Sequence, residues 1–91
     1  MIRRRVIVSG VVQGVFFRDT CLREASARGV SGWVRNRRDG TVEAVFQGAD
    51  ADVGLMVSWA HRGPRDARVD KVDIFPEDPQ PLRGFEVMPT A

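Results

Sequence analysis

The stretch SGVVQGVFFRDT, from Ser9 to Thr20, joins an apolar strand to a helix through a loop that contains glycine and two phenylalanines. Residues 5–12 are rich in Val and Ile and predict a β-strand. Arg18 stands where the helix begins, although the partial positive charge at a helix start favours acidic residues. The stretch therefore predicts a strand, a loop and a helix in succession, with an arginine in an unusual place.

Two helices are predicted from the spacing of apolar residues. The first covers residues 19–28 and ends at Gly29. The second begins at Asp50 or Asp52, either of which is a candidate N-cap, and ends at Gly63. Its apolar residues recur at intervals of three and four positions, at Val53, Met56, Val57 and Ala60.

The remaining strands are predicted from apolar and β-branched runs at 30–36, 41–47, 68–75 and 84–88. Asp39-Gly40 marks a hairpin turn between the first two of these strands. The order β-α-β-β-α-β, with a short terminal strand, predicts an α+β ferredoxin-like two-layer sandwich. In this fold two helices cover one face of a mainly antiparallel sheet.

Length and composition bound the class of protein. Ninety-one residues, 43% of them hydrophobic and 29% charged, predict one globular domain over residues 1–91. No apolar run approaches the ~20 residues that a membrane-spanning helix needs. The apolar run that follows the arginines at 3–5 is short for a secretory signal and lacks a small-residue cleavage site, so we expect a cytoplasmic protein.

Few side chains are available for metal binding or nucleophilic catalysis. Cys21 is the only cysteine and His61 the only histidine. A disulfide within the chain is therefore impossible, and a zinc site built from His and Cys would need more ligands. A Ser-His-Asp triad would have to use His61, and the G-x-S-x-G motif that carries the nucleophilic serine in many hydrolases is absent. We expect neither a metal nor a cofactor.

Positive charge is concentrated in the half of the chain that contains the glycine loop. Residues 1–45 carry nine arginines against four acidic residues, whereas residues 46–91 carry five basic against eight acidic residues. This asymmetry suits a small anionic ligand, although a basic solvated face is the more common explanation.

The glycine loop is a candidate anion-binding site. The first N–H groups of a helix have no helical partner, and glycines allow the preceding backbone to curve into a concave nest that binds anions. Arg18 would complete such a site, since its planar guanidinium matches phosphate or carboxylate oxygens in pairs. The alternative is that the glycines only form a turn and that Arg18 points into water. The loop is not a Walker A loop or a dinucleotide-binding motif.

Three more side chains leave alternatives open. Asn36 is either an ordinary turn residue or an amide that holds a water molecule. Phe16 and Phe17 are adjacent and face opposite sides of an extended chain. We expect one or both of them to pack under the helix rather than to stack on a ligand.

Three segments together closely resemble the acylphosphatase family: GVVQGVFFR at 10–18, GWVRN at 32–36 and DGTVEAVFQG at 39–48. RGPRDARVDKV and GFEV are similar to that family's last two strands, so the resemblance covers about residues 3–89. It implies the same sandwich fold. It also implies hydrolysis of acyl phosphates to a carboxylate and inorganic phosphate, without a metal and without a covalent intermediate.

The resemblance also implies roles for individual residues. Arg18 matches the family's phosphate-binding arginine, and Asn36 matches the asparagine that orients the attacking water. Cys21 departs from the pattern, since many relatives carry a hydroxyl residue there. A hydroxyl group that would support the site residues by hydrogen bonding is therefore not expected at this position. The family's phosphate cradle, a set of backbone N–H groups, corresponds in this chain to the N–H groups of Gln13, Gly14, Val15, Phe16, Phe17 and Arg18.

A non-catalytic module that binds an anion or RNA is the main alternative. RNA-recognition domains of this fold stack bases on aromatic residues of the third strand. Here that strand holds only Phe46, which we expect on the core side, and the usual RNA-recognition consensus is absent. The arginine clusters at 3–5 and 35–38 would contact phosphates only unspecifically.

An accessory role is the other alternative, because acylphosphatase-like domains also occur inside larger maturation proteins that handle carbamoyl phosphate. A chain that runs from Met1 to residue 91 is expected to be freestanding. We therefore expect a monomer whose partner is a small acyl phosphate, with neither a specific nucleic acid nor a membrane.

Overall fold

The computed structural model describes residues 1–91 and contains five strands and two helices. The strands are β1 (Ile2–Val11), β2 (Ser31–Asn36), β3 (Val42–Gly48), β4 (Arg68–Glu77) and β5 (Phe85–Val87). The helices are α1 (Phe17–Ala27), between β1 and β2, and α2 (Asp50–Arg62), between β3 and β4. Neither helix is long and apolar enough to cross a lipid bilayer.

The five strands form one sheet in the order β4-β1-β3-β2-β5. All neighbouring strands are antiparallel except β2 and β5, which are parallel. The helices pack on one face, α1 over β2 and β5 and α2 over β1, β3 and β4. The α+β ferredoxin-like sandwich with a mainly antiparallel sheet is therefore confirmed.

The core lies between the helices and the sheet, and the side-chain alternation of the strands determines its members. Alternate residues of the central strands face the helices, and the fully buried ones among them include Val6, Val8, Val42, Ala44 and Phe46. The helices contribute Phe17, Cys21, Ala25, Val53, Met56, Trp59 and Ala60. Burial of each large apolar side chain stabilises the fold by about 1.5–3 kcal/mol. As expected, Phe46 belongs to this face and is not available for base stacking.

The helix starts differ from the sequence prediction. The N-cap of α2 is Ala49, and no side chain caps the helix. The prediction that Asp50 or Asp52 is the N-cap was therefore wrong; both carboxylates lie inside the first turn, where the helix dipole stabilises negative charge. Helix α1 begins at Phe17, two residues before the predicted start, so Arg18 belongs to its first turn.

The sheet face opposite the helices holds a network of ion pairs. Arg3 and Arg5 donate to the carboxylate of Glu77 at 2.8 and 3.2 Å, and Arg5 and Arg35 donate to Glu43 at 3.0 and 2.7 Å. The hydrogen bond from Arg3, together with the positive charges of Arg3 and Arg5, lowers the pKa of the Glu77 carboxyl. The arginines of this face are therefore occupied by carboxylates.

Candidate functional site

The sheet order brings the ends of β1 and β2 to the same edge. Val42 of β3 pairs with Val8 on one side and with Asn36 on the other. Both neighbours run antiparallel to β3, so the loop after β1 and the hairpin after β2 leave the sheet at one edge. Between them lies a cleft of about 440 Å³. It is lined by Val12, Gly14, Phe16, Phe17, Arg18, Asp19, Asn36 and Val87.

Left-handed backbone gives the loop at this edge its curvature. Gly14 has φ 75° and Phe16 has φ 63°. Phe16 is the N-cap of α1, and no side chain caps this helix. The N–H of Thr20 donates to the Phe16 carbonyl at 3.1 Å and closes the first helical turn. The N–H groups that precede it form the donor-rich, partly positive end of α1.

Arg18 lines the cleft without a partner from the protein. Its guanidinium makes no ion pair and no hydrogen bond. The adjacent carboxylate, Asp19, is instead paired with Arg23 one turn later, at 2.9 Å. The positive charge of Arg18 therefore adds to that of the helix end, and its donors are free for an anion.

Asn36 is the last residue of β2 and is held by backbone bonds on two sides. It pairs with Val42 across the sheet, and its carbonyl accepts a hydrogen bond from the N–H of Ala91 at 3.0 Å. The side-chain oxygen, Oδ1, is buried and accepts no hydrogen bond from the protein. A buried amide oxygen is normally hydrogen-bonded, so the protein leaves an acceptor unsatisfied at a residue that lines the cleft.

Gln13 connects the loop to the hairpin, a contact that the sequence did not suggest. Its amide nitrogen donates to the carbonyls of Arg37 and Thr41, at 2.7 and 2.9 Å. Across the same hairpin, the N–H and hydroxyl of Thr41 donate to Asp39, which lowers the pKa of the Asp39 carboxyl. Gln13 was predicted to supply only its backbone N–H, and no local pattern could show a bond that spans 24 positions.

Phe16 and Phe17 have separate environments. The Phe17 ring is buried and lies 5.0 Å from the Trp59 ring, where it joins the two helices. The Phe16 ring is 74% exposed at the cleft. The expectation that one or both rings pack under the helix therefore holds for Phe17 alone.

Cys21 and His61 lie away from the cleft. Cys21 faces the core from α1, and burial raises the pKa of its thiol. His61 is exposed in the last turn of α2, where a ring nitrogen lies 2.9 Å from the Val57 carbonyl. No three His, Cys, Asp or Glu side chains are grouped in a way that would hold a metal ion.

The geometry combines two chemical capabilities in one cleft. Arg18 and the start of α1 offer donors and positive charge to an anion, while Asn36 offers a fixed acceptor. The sequence-predicted residues Arg18 and Asn36 thus share a cleft, together with Gly14, Phe16 and Phe17 of the predicted cradle. Such an arrangement can bind a phosphoryl group and hold a water molecule beside it.

Comparison with known proteins gives one family. The acylphosphatase family model matches residues 4–87. An acylphosphatase of Haloarcula marismortui is 53% identical over 85 residues, which cover 93% of each chain. One from Rubrobacter xylanophilus is 55% identical over 86 residues, covering 93% of this chain and 78% of that one. The crystal structure of acylphosphatase from Bacillus subtilis superposes with a TM-score of 0.93 at 31% identity, covering 97% of this chain and 99% of the other.

Proposed function

This chain belongs to the acylphosphatase family, and from that premise we propose that Arg18 and Asn36 perform its hydrolysis of acyl phosphates. Acyl phosphates are mixed anhydrides of a carboxylic acid and phosphoric acid. The single observation that supports this assignment is a cleft at a helix N-terminus that is lined both by Arg18, whose guanidinium is unpaired, and by Asn36, whose amide oxygen is buried without a hydrogen-bond partner.

Arg18 and the loop backbone bind the phosphoryl group. The guanidinium donates to two of the three phosphoryl oxygens, and the N–H groups from Gln13 to Arg18 donate to the third and share the first two. Charge spreads over these oxygens in the transition state of phosphoryl transfer, so donors fixed beforehand stabilise it. The curvature at Gly14 and Phe16 supports this role, because such nests aim successive N–H groups at one anion.

Asn36 holds the attacking water. Its Oδ1 accepts a hydrogen bond from one O–H of the water. This bond turns a lone pair of the water oxygen toward phosphorus. The backbone bonds of Asn36 to Val42 and Ala91 support this role, since they limit its movement. A water held in this orientation reacts more readily than one that must diffuse into place. Positioning of this kind accounts for a large part of the catalysis of phosphoryl transfer.

The substrate itself accepts the proton. As the water oxygen bonds to phosphorus, the bond from phosphorus to the acyl oxygen breaks, and its electron pair leaves with the carboxylate. The water's second proton passes to a phosphoryl oxygen. Asp19 is the one carboxylate that lines the cleft, and Arg23 engages it in an ion pair. A carboxylate leaves readily, so no general acid is needed. Because water attacks phosphorus directly, no covalent enzyme intermediate forms.

The same proposal covers the cellular setting. Residues 1–91 act as a single domain and a monomer in the cytoplasm, without a metal or cofactor. A specific nucleic-acid partner is not part of it, because Arg3, Arg5 and Arg35 are engaged by carboxylates on the open sheet face.

Hydrolysis of benzoyl phosphate in the presence of EDTA tests the assignment. We expect Arg18→Gln to lower kcat/KM by about 10²–10³-fold, as loss of one transition-state donor does, and to weaken inhibition by inorganic phosphate. Asn36→Ala should lower kcat by about 10²-fold yet leave phosphate inhibition nearly unchanged, because it displaces the water rather than the phosphate.

Arg83→Gln is the matched control, since Arg83 is exposed, unpaired and not part of the cleft lining. Circular dichroism of each variant establishes that it is folded. A folded Arg18→Gln or Asn36→Ala enzyme with wild-type turnover would remove that residue from the mechanism. A folded wild type without turnover would contradict the hydrolytic function itself.

A further inference from the structure

We propose that the side chain of Phe16 recognises the acyl group, so that this enzyme favours acyl phosphates with an aromatic or bulky uncharged acyl part. The inference rests on the proposed function and extends it to the half of the substrate that Arg18 and Asn36 do not contact. It starts from the conformation of Phe16, which the fold by itself does not explain.

Phe16 is the one non-glycine residue with a positive φ, at 63°. Every other residue with a positive φ is glycine, including Gly14 two positions earlier. The left-handed conformation costs an L-residue free energy that glycine avoids. A glycine at position 16 would therefore build the same nest with less strain, so the curvature of the loop does not account for phenylalanine.

The core does not account for it either. The ring of Phe16 is 74% exposed and is not a member of the core cluster. The adjacent Phe17 already fills the core position against Trp59. Phe16 thus has an unfavourable backbone conformation and an apolar ring in water, and neither feature stabilises the folded chain. Strain of this kind is concentrated at sites that bind ligands.

The location of Phe16 identifies the ligand group. Its ring lines the same cleft as Arg18 and Asn36, together with the apolar side chains of Val12 and Val87. Val87 is also partly exposed, at 41%. Once the polar groups bind the phosphoryl end, the substrate part that remains beside these apolar surfaces is the acyl group. These apolar surfaces favour an acyl group that carries no charge, because a charge placed against them would lose hydration.

The expected preference follows from these surfaces. An aromatic acyl group can stack on or meet the edge of the Phe16 ring, and it removes more apolar surface from water than an acetyl group does. Contacts between aromatic rings change affinities enough to alter a rate ratio by about fivefold.

The test is the ratio of kcat/KM for benzoyl phosphate to kcat/KM for acetyl phosphate. We expect Phe16→Gly to lower this ratio about fivefold and Phe16→Tyr, which keeps a ring, to preserve it. We compare this ratio in each variant with the ratio in wild type. The intrinsic reactivities of the two substrates cancel in that comparison, and so does any loss of activity that affects both substrates equally. Leu55→Ala is the control, because Leu55 is an apolar residue that is 52% exposed on α2 and does not line the cleft.

Each outcome decides the question. A ratio within twofold of wild type in an active Phe16→Gly enzyme would overturn the acyl-recognition role, as would an equal fall in Leu55→Ala. Failure of the proposed function looks different, since a folded wild type would then hydrolyse neither substrate.

Discussion

The side-chain amide of Gln13 donates a hydrogen bond to the backbone carbonyl of Arg37 at 2.7 Å, and so joins the loop after β1 to the hairpin directly after Asn36. A second bond from the same nitrogen reaches Thr41. The two halves of the site come from different parts of the chain, and this amide limits how far they can move relative to one another. We expect Gln13 to act as a positioning residue in this arrangement.

Replacement of Gln13 by leucine should separate the two halves. Both bonds are lost and the carbonyls of Arg37 and Thr41 lose a donor, so we expect kcat to fall at least about tenfold, because small misplacements of reacting groups are costly. The free energy of unfolding should fall by about 1–3 kcal/mol. Steady-state kinetics and urea denaturation measure the two effects.

Gln47→Leu is the matched control for this prediction. The amide of Gln47 makes a comparable pair of bonds with the backbone of Gln80, at 2.6 and 2.9 Å, on the open face of the sheet. Gln47→Leu should lose stability and keep wild-type kcat. Equal loss of kcat in both variants would mean that Gln13 acts through stability alone.

The ion pairs of Glu77 should make stability depend on acid pH. The folded state lowers the pKa of this carboxyl from its ordinary value of about 4.5 through Arg3 and Arg5, so the unfolded chain takes up a proton first as the pH falls. The stabilisation is complete above the unfolded pKa and is lost as the pH falls through the folded pKa. Glu77→Gln should therefore lose less free energy of unfolding than wild type between pH 7 and pH 3.

Urea denaturation at the two pH values measures this difference. The control is Glu86→Gln, which removes an exposed carboxylate that makes no ion pair. Glu86→Gln should lose as much free energy of unfolding between pH 7 and pH 3 as wild type does. If Glu77→Gln also loses as much as wild type, the ion pairs of Glu77 make no pH-dependent contribution.

Gly54 offers a stabilising substitution within α2. A Cβ at this position meets nothing within 4 Å, and the backbone is helical. Gly54→Ala should raise the free energy of unfolding by about 0.5–1 kcal/mol, because alanine loses less backbone entropy on folding. Thermal unfolding would show this as a higher Tm.

Gly63→Ala, at the end of the same helix, should have the opposite effect. Gly63 has φ 67°, and its Cβ would lie 3.0 Å from the Phe17 ring. Stabilisation by both substitutions, or by neither, would contradict this interpretation of the two glycines.

Cys21 should be unreactive in the folded protein. Burial raises the pKa of its thiol, and the thiolate is the reactive form. We expect a disulfide reagent such as DTNB to label Cys21 at pH 8 only as fast as the chain opens, and rapidly in guanidinium chloride. Rapid labelling without denaturant would show that α1 leaves the core easily.

Periodicity predicted the helices and strands of this chain to within a few residues, because apolar spacing reflects which side of an element faces the core. The largest differences, of two or three residues, lie at the starts of β1 and α1 and at the end of β4. Asp19 and Thr20 resemble the beginning of a helix, but the structure starts α1 at Phe17 because Phe16 turns the chain with left-handed backbone. Polar residues near a helix start are a weaker signal than the backbone geometry that the rest of the fold imposes.

The sequence by itself determined the order of the elements, the residues of each core face and the three segments that mark the family, because each depends on positions close together in the chain. Only the tertiary structure decided that Arg18 and Asn36 share a cleft, that Gln13 bridges to Arg37, and that Phe17 enters the core while Phe16 lines the site. These relationships depend on β3 pairing with β1 on one side and β2 on the other. Local propensities do not encode that pairing, which forms because it buries the apolar faces of all three strands together under the helices.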